Sequence, residues 1–510
     1  MKVMAEQNNT NRNNWFEPMF LVIAALVSLG FGFALGSAES VAAIAAIPIV
    51  LLAAYLGFTN PELLAAILIG INWGYISSVA VKFHNTPSLA KPIIVILVGV
   101  LLFRRFTGKR TPLVYHPIQW WILGYFVFVS AGMWYAGSPD RTMVVAVDVA
   151  KQLIFFYVVI NLISSERILE FAIWLMVLIG AVLGLLTVYQ EITGNYANDF
   201  GGFARSAIAQ ISEDVSNRAR AGGPTSDPNV FGQQLLAIIP LGLWLAISAR
   251  SFLSRAVGAF SVAMCLAGVG LSFSRGAYIA VGVMFVLLVL HLRLNPRYLL
   301  VLPLLWLMLN LAPPEIQSRF DTLGFLLPNN NPTGVEQGDA SIRRRSVEVL
   351  MAFYMFLDHP IIGVGAGNFK PNYPIYIREY GENVPDEQRN AHSFYLEVAA
   401  ESGIIGLFLI GTVLLLAMQS TLRARRIFAA IGNHRMAELA VSLAISFSGF
   451  LVSATFLSNI YPDFIWTLIS LCVACGLVAQ HVHTKAQQLA VNDVAAGVAT
   501  QAGVMEPGKA

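Results

Sequence analysis

Apolar runs of about 20 residues, repeated along the chain with short polar breaks, limit its fold more than any other feature. They lie near 18–36, 41–58, 62–81, 91–104, 117–134, 142–162, 168–189, 229–249, 256–273, 276–292, 297–312, 403–420, 436–457 and 462–480. Hydrocarbon offers the main chain no hydrogen-bond partner, so each run must satisfy its own N–H and C=O groups, which makes it an α-helix. Composition agrees: 12% of the 510 residues are charged, against about 25% in a soluble domain, and the mean hydropathy is +0.66. The pattern predicts an all-α polytopic membrane protein of roughly 12–14 transmembrane helices. The net charge of +3 is spread over short loops and gives no sign of a nucleic-acid partner. Residues 1–17 are polar and the first run starts near Met19, so it is expected to remain as a signal anchor.

Orientation follows from Lys and Arg at the helix ends. With the amino terminus inside, four basic clusters fall on the cytoplasmic side: Arg104, Arg105, Lys109 and Arg110; Arg250 and Arg255; Arg293 and Arg297; Arg423, Arg425, Arg426 and Arg435. Lys82 and Lys91 dissent mildly. The chain then divides into a cytoplasmic tail 1–17, transmembrane helices 18–189, a periplasmic loop 190–228, helices 229–312, a large periplasmic loop 313–392, helices 393–480, and a disordered cytoplasmic tail 481–510. Loops this long in compact proteins are usually functional or disordered. Cys265, Cys472 and Cys475 all lie in apolar runs and read as small apolar residues.

Four stretches carry polar chemistry next to hydrocarbon. At the end of the first long loop, Gly222, Gly223 and Pro224 make a turn, and Asp227-Pro228-Asn229 reads as a helix start. Arg218 and Arg220 then stand at the membrane surface beside a helix amino terminus, where anions are favoured, although snorkelling to lipid headgroups explains them equally well. Arg275, in Ser274-Arg275-Gly276, sits between two apolar runs with almost no loop around it, and an arginine so placed needs a partner. Residues 341–360 place Val347, Leu350, Met351, Phe353 and Tyr354 at helical spacing behind three arginines, an amphipathic helix on or against the membrane domain. The glycines at 363, 365 and 367 that follow lack the strand-turn-helix setting of a nucleotide site. His392 stands where the chain re-enters the membrane; its imidazole titrates near neutrality and can take a proton from a hydroxyl. Glu397 and Glu401 lie one turn apart beyond it, and Gly403 and Gly406 invite close approach of another helix. Asp148 and Lys151, at i, i+3, read as a self-neutralising pair.

Together these stretches resemble the bacterial O-antigen ligase and O-antigen polymerase family over roughly residues 190–410. The family's His, Asn or Ser, aromatic, Leu, Glu, Gly, Gly pattern is matched by His392, Ser393, Tyr395, Leu396, Glu401, Gly403 and Gly406. Arg220, Gly223, Pro228 and Asn229 match a second motif, and Ser274, Arg275 and Gly276 a third. Arg345 aligns with an arginine upstream of His359, Pro360, Gly363 and Gly365, with Val349 where the family often has tryptophan. The resemblance implies transfer of a glycan from an undecaprenyl diphosphate carrier to an acceptor sugar hydroxyl. It places the reaction at the periplasmic face of the inner membrane, with inversion and without metal, cofactor or nucleotide donor. On that footing His392 is the base, Arg220 and Arg275 clamp the diphosphate, Arg345 binds donor or acceptor, and Tyr395, Glu401, Asn229 and Ser274 support them. The partners implied are the lipid-linked glycan, a lipid A core or growing glycan as acceptor, and membrane lipids.

Ligase and polymerase differ only in acceptor, and the sequence does not separate them. A secondary transporter would also have this many helices, but no inverted repeat is visible. A non-catalytic subunit of an envelope polysaccharide machine is the remaining reading. Orientation is directly testable. In a cysteine-free background, cysteines at Asn195 and Asn329 should react with an impermeant thiol reagent in intact spheroplasts; labelling only after lysis would reverse the topology.

Overall fold

The computed structural model describes residues 51–106, 114–209, 218–292, 340–380, 389–458 and 463–503. The expected runs coincide with helix, except that 18–36 and 297–312, most of 41–58, and positions 313–339 of the second loop lie outside the described residues. In chain order the helices are α1 (Pro61–Trp73), α2 (Ile76–His84), α3 (Ala90–Phe106), α4 (Ile118–Ala131), α5 (Pro139–Leu162), α6 (Glu166–Thr193), α7 (Pro228–Leu236), α8 (Ile239–Ser248), α9 (Phe252–Leu271) and α10 (Arg275–Leu292). They continue with α11 (Ala340–Asp358), α12 (Phe369–Glu379), α13 (Phe394–Ala430), α14 (His434–Ala454) and α15 (Asp463–Gly503). Among the described residues seven helical segments are long and apolar enough to cross a membrane, or eight if α1 and α2, bent by 57° at their break, form one span. Large apolar side chains such as Val95, Phe103, Trp120, Val127, Phe408 and Leu415 stay exposed on the bundle, as lipid-facing surfaces require.

Three features depart from the sequence reading. The first long loop contains a β-hairpin, β1 (Arg205–Ala209) antiparallel to β2 (Arg218–Gly223), with Ala207 opposite Arg220. Its Arg, Ala and Gly content lacks the apolar alternation that announces a strand. Residues 481–503, expected to be disordered, prolong α15 as helix, in keeping with their Ala- and Gln-rich composition. Finally, the close neighbour of Gly403 is a loop, not a helix.

That loop positions the candidate site. Within α13, Gly403 adopts φ 59°, ψ −160°, a left-handed conformation that breaks the helix. The stretch from His359 to Gly367 takes over the broken hydrogen bonds: the N–H of Ile404 donates to Pro360 O at 2.8 Å, and the N–H groups of Val364 and Gly365 donate to Ala400 O and Glu401 O at 2.9 Å each. The Glu401 carboxylate accepts from the N–H groups of Gly367 (2.8 Å) and Phe369 (3.0 Å). Buried Asn368 ties the same loop to the start of α5, accepting from the Ser138 N–H at 2.7 Å and donating to Thr142 Oγ1 at 2.9 Å. Glu401 thus holds the glycine-rich loop directly, a more local task than general support of the histidine's helix.

The amphipathic helix expected at 341–360 is α11. Its buried Val347, Met351, Ala352 and Met355 pack with Phe369, Tyr373, Tyr376 and Ile377 of α12 and with Ala400 of α13, a small core separate from that of the bundle.

The break at Gly403 gives a paired test. A Cβ there would strike the Ile361 carbonyl in a left-handed conformation, whereas at Gly411, on the same helix, it meets nothing within 4 Å. Gly403→Ala should destabilise the detergent-solubilised protein by about 1–3 kcal/mol, and Gly411→Ala should be neutral or slightly stabilising. Equal unfolding midpoints for the two variants would refute this account of the break.

Candidate functional site

Four chain segments from distant parts of the sequence meet at one end of the bundle. The first is β2 with the start of α7. Asp227 caps α7 as expected, its carboxylate accepting from the N–H groups of Asn229 (2.8 Å) and Val230 (3.4 Å), with Pro228 in the first turn. Arg220, on β2, reaches across to the link between α9 and α10. Its Nε–H and one terminal N–H group donate to Ser272 O at 3.0 and 2.9 Å, with further contacts to Phe273 O at 3.3 Å and Asn229 Oδ1 at 3.4 Å. Phe273 stands at φ 50°, so the guanidinium steadies a strained turn.

Arg275 opens α10 directly after that turn and is half-buried; Ser274, before it, is buried. The neighbouring Gly276 lies against Phe456, just past α14, where a Cβ would meet Phe456 Cβ at 2.8 Å. The Tyr395 hydroxyl, in the first turn of α13, donates to Leu451 O near the end of α14 at 3.0 Å. The end of α14 therefore joins the arginine side of the site to the histidine side.

His392 immediately precedes the Ser393 cap of α13 and holds a left-handed φ of 49°. Its Nε2 lies 3.4 Å from Glu348 Oε2, and Arg389 Nη1 lies 3.3 Å from Glu348 Oε1. Glu348 is only 2% exposed. The buried Nδ1 of His392 has no hydrogen-bond partner. Arg345, one turn before Glu348 on α11, and Asp227 both act electrostatically on the imidazole. Burial first, then Arg345, and to a smaller extent Arg389, push the histidine down to about 4, against the upward pull of Asp227. The ring that the sequence places near neutrality is therefore neutral throughout the physiological range, the form that can accept a proton.

The structure thus brings Arg220, Asn229, Ser274 and Arg275 to one side of this end, and His392, Arg345 and Tyr395 to the other. Glu401 lies just below, holding the glycine-rich loop. Sequence reasoning missed Glu348 and Arg389 and gave Asp227 only a capping role. The available signal was an acid, Glu348, between the apolar positions Val347 and Met351 of a helix expected to lie on or against the membrane domain. Asp148 and Lys151 pair at 2.8 Å on an exposed helix face, as a self-neutralising couple should. Among the described residues no group of three or more His, Cys, Asp or Glu side chains could hold a metal.

These features define a multi-pass membrane protein with a buried acid–histidine pair and several arginines gathered at one end of its helices. Residues 259–411 match the family model described as O-Antigen ligase, and the resemblance read from the motifs is borne out. The matched stretch takes in Arg275, Arg345, Glu348, His392, Tyr395 and Glu401; Arg220 and Asn229 precede it. No curated protein matches the chain. The match supports a ligase- or polymerase-type membrane enzyme of polysaccharide biosynthesis, with lipid-linked glycan and acceptor substrates.

The electrostatic convergence on His392 is measurable without substrate. NMR titration of the ring should give a midpoint near 4. Because Arg345 lowers that value, Arg345→Gln should raise it. A wild-type midpoint at the ordinary histidine value of about 6.5 would mean that burial and Arg345 do not act on this ring.

Proposed function

We propose that this protein transfers a glycan from an undecaprenyl diphosphate carrier to an acceptor sugar hydroxyl at the periplasmic face of the inner membrane, as an O-antigen ligase. The observation that carries the reading is the neutral His392, set beside buried Glu348 and Arg345 within the matched domain, at the same end of the bundle as Arg220 and Arg275. Described residues from both long loops, 190–228 and 313–392, stand at this end, and the positive-inside count assigns both loops to the periplasm. The 481–503 segment lies on the cytoplasmic side in the same scheme.

The chemistry asks for two things. An acceptor hydroxyl must lose its proton as its oxygen attacks the anomeric carbon, and the departing lipid diphosphate must have its new charge stabilised. His392 takes the proton. Arg275 and Arg345, with Arg220 holding the turn that presents Arg275, face the diphosphate; planar guanidinium groups bind such oxygens in a bidentate manner and stand in for a divalent cation. Attack from the side opposite the leaving group inverts the anomeric carbon. Tyr395 fixes the first turn of α13, and Asn229 and Ser274 shape the arginine side.

A polymerase of the same family would use the same residues with a growing glycan as acceptor in place of a lipid A core. The broken pair α1 and α2 is the one feature a transporter would share, since discontinuous helices line many transporter sites. Purified protein given lipid-linked glycan, with and without lipid A core, separates these readings. His392→Ala should insert normally and lose about two to four orders of magnitude in transfer rate. Arg220→Lys should also be strongly impaired, because a lysine cannot span Ser272, Phe273 and Asn229 with one planar fork. EDTA should have no effect. Near wild-type transfer by His392→Ala would remove the base, and inhibition by EDTA reversed by magnesium would replace the arginine mechanism with a metal-dependent one.

A further inference from the structure

Glu348 is a buried acid set where hydrophobic packing alone would favour an apolar residue. A carboxylate at 2% exposure is costly to keep unless something uses its charge. Its neighbours on α11, Val347, Met351 and Ala352, are all in the apolar core, so its solubility contributes nothing here. One oxygen faces Arg389 at 3.3 Å, and the other faces His392 Nε2 at 3.4 Å. On the far side of the ring, Nδ1 is buried without a hydrogen-bond partner. A buried polar atom left unsatisfied in a native protein calls for a role.

We infer that Glu348 is the positioning residue of His392: its carboxylate stands at ion-pair distance from Nε2 and becomes the counter-ion of the imidazolium. This rests on the transfer reading above. The proton balance is simple. The acceptor O–H bond breaks as the oxygen forms its bond to the anomeric carbon. Its proton goes to the His392 imidazole, the anomeric C–O bond breaks, and the lipid diphosphate leaves with that electron pair. The imidazolium so formed lies at ion-pair distance from the Glu348 carboxylate, which lowers the energy of the charge at the moment it appears. Arg389 holds the carboxylate in place from its other oxygen.

The charged groups that face the ring are Glu348 and Arg345 from α11, Arg389 from the segment before α13, and Asp227 from the cap of α7. Of these, Glu348 alone is at ion-pair distance from the ring, and Glu348→Gln removes its charge while keeping its size and its acceptor for Arg389. In a transfer assay at saturating donor this variant should lose roughly ten- to a thousand-fold in kcat. The KM for lipid-linked glycan should stay within about twofold, because Glu348 does not touch the diphosphate. The acid limb of kcat should move to lower pH, since the imidazolium has lost its counter-ion. Glu348→Asp, which keeps the charge on a shorter arm, should return the acid limb toward its wild-type position.

A second readout needs no substrate. In an Arg345→Gln background, where the ring titrates higher, adding Glu348→Gln should lower the NMR midpoint of His392. An unchanged midpoint, or a Glu348→Gln enzyme with wild-type kcat and acid limb, overturns the proposal. A large fall in kcat with an unmoved acid limb overturns it too, since that outcome makes Glu348 purely architectural. A wild-type protein that transfers no glycan would sink the transfer reading instead, and the ring titration would then decide the pairing by itself.

Discussion

A main-chain group inside or beside hydrocarbon must find a hydrogen-bond partner within the protein, and the site is arranged around the place where a helix fails to provide one. That place is Gly403. The left-handed residue there frees carbonyls on one side and amides on the other, and the loop from Pro360 to Gly365 supplies a partner for each. The repair works only if the loop has no side chains in the way: Gly363 stands at φ 69°, and a Cβ on it would strike the Glu401 main chain. Glu401 then adds a buried side-chain acceptor for two further N–H groups. Once the break is secured, the first turns of α13 are fixed separately from the spanning part, and His392 sits on that fixed segment.

Strained backbone clusters in the same region. Ser226, Phe273 and His392 all take positive φ without being glycine, at 65°, 50° and 49°. Each costs of the order of 1–3 kcal/mol unless its surroundings enforce it. Here the enforcement is visible. Arg205 donates to the Ser226 hydroxyl, Arg220 grips the carbonyls of Ser272 and Phe273, and Glu348 faces the His392 ring. Three arginine or glutamate side chains are thus occupied in holding short turns, and the turns in question are those that present the remaining polar groups. Arg220 is accordingly more than a free clamp for an anion; it builds the turn from which Arg275 projects.

The parts of this arrangement legible in the sequence are those governed by one-dimensional rules. Apolar runs gave the spans because main-chain satisfaction leaves no choice of structure, and Asp227-Pro228 gave a helix start because capping is local. The spacing of Val347, Leu350, Met351, Phe353 and Tyr354 likewise marked α11 as an amphipathic helix on or against the membrane domain. What stayed hidden depends on neighbours far along the chain. Gly403 could equally have served a helix–helix contact, and only the loop from Pro360 shows which. Nothing in the sequence pairs Glu348 with Arg389 and His392, which stand on either side of its carboxylate. The hairpin escaped because Arg205–Ala209 and Arg218–Gly223 owe their pairing to each other and to α7, and carry little intrinsic strand preference. The motifs pointed to the residues, but which of them hold the fold is a three-dimensional fact.

The charge pattern explains how one histidine can be both inert and reactive. In the substrate-free protein the ring is held neutral by burial and by Arg345, well below the range where it would carry a proton in water. A base so depressed is weak, which by itself would argue against catalysis. The second largest cause of the depression, however, is an arginine, and on the proposed reading that arginine faces a diphosphate. An anion bound there cancels the repulsion between Arg345 and a protonated ring, while Glu348 and Asp227 remain to attract the proton. The ring becomes a stronger base only once the donor is in place, and the acceptor hydroxyl is activated only when there is an anomeric carbon to attack.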